Sequence, residues 1–251
     1  MTESHPAPES HPTSEPHRAP EPHPAPEPHS ASEPHPASDR LSLPERSAAT
    51  RLIVVMRAAS AEQYPEVIST LADAGVRSME LTLTTPGTLE ALPDLHRRFG
   101  DRVDLGVGTI TTVQQARRAA DGGAAYLVTP VTDHAVITAA IDRGVPIVPG
   151  GLTPTELHSA WAAGASAVKV FPAGVVGAGY VKDLRGPFPE LRVIPSGGVD
   201  LETAQAWLAA GADAVSVGGP LLGDAFTGGD LSELADRAAQ FVGVCTRVGG
   251  A

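Results

Sequence analysis

The sequence predicts an α/β domain of the (β/α)8 class, a TIM barrel, preceded by a disordered N-terminal tail. Three observations carry that prediction. From residue 46 onward, short apolar runs alternate eight times with helical segments rich in Ala and Leu, which is the unit count of a barrel with few insertions. Several helical segments end in a glycine just before the next apolar run, as in Ala74-Gly75-Val76 and Ala210-Gly211-Ala212; glycine accepts the left-handed cap that stops a helix. Polar and glycine-rich residues gather at the C-terminal ends of the apolar runs, where a barrel assembles its site. A doubly wound sheet is the alternative. It would show fewer units or a glycine-rich dinucleotide loop after its first strand, and no such loop follows Arg57.

The tail comes first, assigned to residues 1–45. Residues 3–38 form a degenerate six-residue repeat (ESHPAP, ESHPTS, EPHRAP, EPHPAP, EPHSAS, EPHPAS) that places His5, His11, His17, His23, His29 and His35 each two residues after a glutamate. With almost no large apolar side chains, such a segment cannot offset its ordering entropy, so it reads as disordered. Its proline density favours polyproline II, whose three residues per turn would align histidines of period six on one face. Two uses fit that pattern: a solvated spacer, and weak binding of Zn²⁺, Ni²⁺ or Cu²⁺ by neighbouring imidazoles.

The body occupies residues 46–251. Strand-like runs fall at 51–57, 76–83, 104–110, 124–130, 145–150, 167–172, 192–198 and 214–219. Helical spacing covers roughly 60–74, 86–99, 112–121, 132–143, 153–163, 178–186, 201–210 and 230–247. Thr153-Pro154-Thr155-Glu156 has the form of a helix start, with a threonine cap, proline at the first helical position and glutamate at the third.

Reading the strand ends amounts to reading the site. The sixth run, Ala167-Val168-Lys169-Val170-Phe171-Pro172, buries a lysine among valines, in a chain with two lysines and sixteen arginines. Lysine differs from arginine in being able to lose its proton and attack a carbonyl. Period-two alternation turns Lys169 and, in Ser78-Met79-Glu80-Leu81-Thr82, the carboxyl of Glu80 toward the barrel axis. A structural ion pair is the plain reading; an amine and a carboxyl in one reaction site is the functional one. Arg57 ends the first run, where an anion site and a solvated strand end are both open, and Thr84 follows the second. Thr109, Pro130 and Phe171 close the third, fourth and sixth. Ser196-Gly197-Gly198 and Gly218-Gly219 close the seventh and eighth, where backbone amides can approach phosphate. His96, His134 and His158 lie on helical segments without metal-ligand spacing, so no metal site is expected in the body.

Composition narrows the partners. A net charge of −11 without a basic stripe argues against nucleic acid. The lone Cys245 cannot form an intramolecular disulfide and suits a reducing compartment. Neither a membrane-length apolar run nor a signal-peptide pattern is present, so a cytoplasmic protein is expected.

Taken in order, Val55-Met56-Arg57, the 75–83 stretch GVRSMELTL, Gly106-Val107-Gly108-Thr109, Val128-Thr129-Pro130, Pro149-Gly150, Val168-Lys169-Val170-Phe171-Pro172 and Pro195-Ser196-Gly197-Gly198-Val199 resemble the family of 2-keto-3-deoxy-6-phosphogluconate (KDPG) and 4-hydroxy-2-oxoglutarate (KHG) aldolases. The resemblance covers about residues 50–225. It implies a class I aldolase without a metal cofactor, a trimer of barrels acting on a small keto-acid phosphate. Lys169 matches the family's imine-forming lysine and Glu80 its general acid/base. Arg57 and Thr109 match positions holding substrate carboxylate or phosphate, and Ser196-Gly197-Gly198 with Gly218-Gly219 match its phosphate site. Where many KDPG aldolases carry an arginine after the strand-two glutamate, this chain has Thr84-Thr85-Pro86, which looks more like the branch acting on the galactonate epimer (KDPGal). A phosphosugar epimerase or isomerase, which needs no imine, and a non-catalytic scaffold for a metal-binding tail are the alternative readings.

Overall fold

The computed structural model describes residues 1–2 and 40–247. The histidine repeat, with the disorder and metal readings attached to it, lies outside the described residues. A short helix α1 (Glu45–Thr50) leads into β1 (Leu52–Met56), a 3-10 turn (Ala61–Gln63) and α2 (Tyr64–Asp73). Then follow β2 (Ser78–Thr82), α3 (Thr88–Phe99), β3 (Asp104–Gly108), α4 (Val113–Asp121), β4 (Leu127–Val128) and α5 (His134–Ile141). The fifth run gives two strands, β5 (Ile147–Val148) and β6 (Gly150–Gly151), before α6 (Pro154–Ala162). The chain closes with β7 (Val168–Val170), α7 (Tyr180–Arg185), β8 (Val193–Pro195), α8 (Leu201–Ala209), β9 (Val215–Val217), α9 (Gly219–Leu222) and α10 (Leu231–Arg247).

The local rules act as the sequence suggests. Thr153 accepts from the Glu156 amide at 3.3 Å, while the Glu156 carboxylate accepts from the Thr153 amide at 2.8 Å, a reciprocal cap on α6. Gly75, just past α2, has φ +97°, the left-handed conformation expected of it. Helix α1 has no counterpart among the expected elements. Its six residues are too few to show a helical period, and its buried Ser47 is polar.

The closed eight-stranded barrel expected from the unit count is not formed. The hydrogen-bonded strands fall into a curled parallel sheet of six, in the order β5-β4-β3-β2-β1-β9, and a parallel sheet of three, β6-β7-β8. This is a half-barrel plus a small second sheet, a variant of the barrel plan. Proline accounts for the first break. Pro149 sits between β5 and β6 and has no N–H to give a ladder, so β5 pairs with β4 while β6 pairs with β7. At the second seam the Asp213 amide, just ahead of β9, donates to the Val193 carbonyl at 2.9 Å, β8 ends in Pro195, and past it an isolated bridge joins Ser196 and Ser216 without forming a ladder. A count of strand-helix units cannot reveal either break.

Alternation along the strands divides the core in two. Leu52, Val54, Met79, Leu81, Val168 and Val170 belong to the large apolar layer between strands and helices. A smaller cluster on the inner side comprises Ile53, Tyr126, Val128, Val148, Ala167, Ile194 and Ala214, with Leu43 packed against it. Nearby, Ser47 of α1 donates its amide to Asp104 Oδ2 at 2.9 Å, and its hydroxyl lies 2.8 Å from that of Ser78. Ser78 in turn hydrogen-bonds the fully buried Tyr126 phenol at 2.9 Å. Arg40 donates to the carbonyls of Trp161 and Ala165, with its guanidinium 3.6 Å above the Trp161 ring. Arg40 and Leu43 thus hold the segment ahead of α1 against the body. These contacts close the N-terminal end of the strands and leave the C-terminal end for a site.

Candidate active site

Lys169 stands at the middle of β7, with its two valine neighbours in the outer layer and its own side chain turned inward, 8% exposed. Glu80 reaches the same space from β2 and is 1% exposed. Lys169 Nζ lies 4.0 Å from Glu80 Oε1 and 5.2 Å from the centroid of the Phe171 ring. An ion pair buried this deeply has lost most of its hydration, so it is weak evidence of a device for stability. Space for the carboxylate comes from the neighbouring strand. A Cβ on Gly108 would sit 1.8 Å from Glu80 Oε1, so only glycine leaves room for that carboxyl.

Eleven of the twelve candidate residues line one cavity of about 390 Å³. They are Lys169, Glu80, Arg57, Thr109, Pro130, Phe171, Ser196, Gly197, Gly198, Gly218 and Gly219. Thr84 does not line it; its hydroxyl accepts a 2.9 Å hydrogen bond from Arg57 Nε. Thr109 holds φ +62°, a left-handed conformation costly for a β-branched residue and kept only where the surroundings impose it. Gly197 and Gly198 are also left-handed, and a Cβ on Gly197 would press to 3.0 Å of the Phe171 ring. The glycines therefore let the 196–198 turn approach whatever occupies the cavity.

Val55, Val199, Ser216 and Pro220 also line the cavity and were not among the candidates. Ser216 carried a signal: it is the polar residue of the alternating Val215-Ser216-Val217, the same pattern that singled out Lys169. Its Oγ lies 3.3 Å from that of Ser196, across the seam between the two sheets. Val55 is apolar on both sides and carried no such mark. His96, His134 and His158 lie on or beside the outer helices, and His158 stacks on Phe188 at 4.4 Å. Among the described residues, no group of three or more His, Cys, Asp or Glu is placed to hold a metal ion.

The arrangement brings an amine and a carboxyl 4.0 Å apart into one cavity with glycine-rich turns and a guanidinium. Comparison with known proteins identifies the family. The model of the family "KDPG and KHG aldolase" matches residues 44–235. A 2-dehydro-3-deoxy-6-phosphogalactonate aldolase of Escherichia coli K12 is 31% identical over 192 residues, covering 76% of this chain and 92% of that protein. A 2-dehydro-3-deoxy-phosphogluconate aldolase of Treponema pallidum is 31% identical over 210 residues, covering 81% and 99%. A solved structure described as native KDPGal superimposes with a TM-score of 0.74 at 29% identity, covering 80% of this chain and 96% of that one. The chain belongs to the KDPG and KHG aldolase family and is an aldolase, a lyase of carbon–carbon bonds.

Proposed function

We propose that the protein is a class I aldolase that cleaves 2-keto-3-deoxy-6-phosphogluconate, its galactonate epimer or 4-hydroxy-2-oxoglutarate to pyruvate and an aldehyde such as glyceraldehyde 3-phosphate. The observation that carries this reading is the pair of Lys169 Nζ and Glu80 Oε1, 4.0 Å apart in one cavity. The Lys169 amine adds to the C2 ketone, and loss of water gives an iminium. Glu80, directly or through a water, takes the C4 hydroxyl proton. The C3–C4 bond breaks, its electrons pass into the iminium, and the aldehyde leaves. The resulting enamine takes a proton at C3, and water releases pyruvate and restores the amine. The imine is the electron sink, so the route uses no dissociable cofactor.

Thr109 and Pro130 stand on the loops after β3 and β4 and suit the carboxylate end of the substrate. Ser196-Gly197-Gly198 and Gly218-Gly219 offer backbone amides to a phosphate at the other. Thr84 in place of an arginine supports the galactonate branch, and relative rates on the two epimers decide it. The reading extends to a homotrimer in the cytoplasm; the boundary expected at residue 45 falls earlier, since Arg40 and Leu43 pack against the body. No helix among the described residues is long and apolar enough to cross a membrane.

The test is reductive trapping. Pyruvate and sodium borohydride should add one pyruvate-derived increment to the intact mass, on the peptide containing Lys169, and Lys169→Ala should abolish both the increment and turnover. A folded protein that gains no mass would overturn the imine route in favour of a phosphosugar isomerase.

A further inference from the structure

Thr84 does not line the cavity, yet it has a defined place in a chain of hydrogen bonds that begins at the cavity wall. Arg57 Nε donates to Thr84 Oγ1 at 2.9 Å, Thr84 Oγ1 donates to Thr82 Oγ1 at 3.1 Å, and Thr82 Oγ1 donates to the Met56 carbonyl at 3.1 Å. Counting protons fixes the direction. A carbonyl only accepts, so the single hydroxyl proton of fully buried Thr82 is committed to Met56. Thr82 can then only accept from Thr84, whose own oxygen remains free to accept from the guanidinium. The chain returns to the residue before Arg57 and so ties the side chain to its own backbone. Among the described residues, the two terminal nitrogens of Arg57 make no hydrogen bond, which leaves their four N–H groups available beyond the held Nε.

Their position is set by the sheet. Val54 of β1 pairs with Val217 of β9, which places Arg57 beside the Gly218-Gly219 turn. Arg57, Val55, Gly218 and Gly219 are shared between the 390 Å³ cavity and a second one of 270 Å³. Thr109 and Pro130 stand two and three strands away in the sheet order, after β3 and β4. A planar guanidinium held at Nε presents its remaining edge to two oxygens of an oxyanion, a fit that lysine cannot reproduce.

We propose that Thr84 is a positioning residue that aims Arg57 at the phosphate of the aldehyde half, leaving the keto-acid carboxylate to other groups. This rests on the class I aldolase reading above. The test compares Thr84→Val, which keeps the shape and removes the hydroxyl, with Thr84→Ser, which restores it. Two quantities are read on the full chain: KM for the phosphorylated sugar acid, and the pyruvate concentration that half-saturates borohydride trapping. The expected result is a rise of about tenfold in KM for Thr84→Val, of the size set by one hydrogen bond to a charged group. Pyruvate half-saturation stays at the wild-type value, and Thr84→Ser recovers KM. An unchanged KM would overturn the proposal, and so would a pyruvate value that rises by the same factor, since Arg57 would then serve the carboxylate. A wild-type protein that traps no pyruvate overturns the aldolase reading instead, so the two failures are distinct.

Discussion

Gly108 controls where the Glu80 carboxyl can be. Its hydrogen occupies the space in which any Cβ would overlap Oε1, at 1.8 Å, and β3 is buried along its whole length, so the backbone has little freedom to yield. Gly108→Ala is expected to drive the carboxyl away from Lys169 and slow cleavage by at least about tenfold, short of the about 10²–10⁴-fold lost when a positioned acid/base is removed outright. It should leave pyruvate trapping in place. Glu80→Gln keeps the volume and removes the base, so turnover should fall by about 10²–10⁴-fold with trapping retained; wild-type rates in that variant would remove Glu80 from the role. Much of this was legible in the sequence. Lys169 and Glu80 stood out as charged residues in apolar strands whose period-two pattern turns them inward. The need for glycine at 108 was not legible, because it arises from the neighbouring strand. Gly108 lies opposite Thr82 in the register, and no linear pattern connects it with Glu80. Thr84 shows the opposite limit: its place after the second strand made it a candidate, and the structure sets its hydroxyl against Arg57 Nε and not on the cavity wall.

Among the elements, helix starts were the most readable features because their chemistry is local. The Thr153–Glu156 cap of α6 involves residues three apart and is present as the sequence suggests. Thr153→Ala should cost about 1 kcal/mol of unfolding free energy, the usual loss for such a cap, measured by urea denaturation. Because α6 sits outside the strands, the imine should still form. Strand boundaries were readable to within a few residues, but strand closure was not. Whether two neighbouring runs pair depends on amides at particular register positions, and Pro149 removes one at the place where the expected barrel would have continued. Pro195 stood in the same plain view, yet its effect appears only once β8 is set against β9.

For the molecule as a whole, the buried acids Cys245 and Tyr126 set an alkaline limit. Burial pushes the Cys245 thiol up to about 12 from an ordinary value of 9.0, and burial likewise raises the Tyr126 phenol well above 10.0. Both groups are held protonated by the fold. Between the unfolded and folded values the native state binds more protons than the unfolded chain, so the stability they contribute is complete below about pH 9 and declines as pH rises toward 12. Thermal melts between pH 8 and 11 should show falling Tm, with a shallower fall in Cys245→Ala; an equal slope would exclude the thiol. The closure of the N-terminal end by Leu43, α1 and the inner cluster has a different kind of consequence. The inner cluster fills the space below Lys169, so the 390 Å³ cavity lies on the side of the strand-end loops. Under the imine route proposed above, the aldehyde half departs while the three-carbon fragment is still tethered to Lys169, and only hydrolysis lets that fragment follow. Pyruvate is therefore the last product out, and in product-inhibition kinetics it is the one that competes with substrate for the free enzyme.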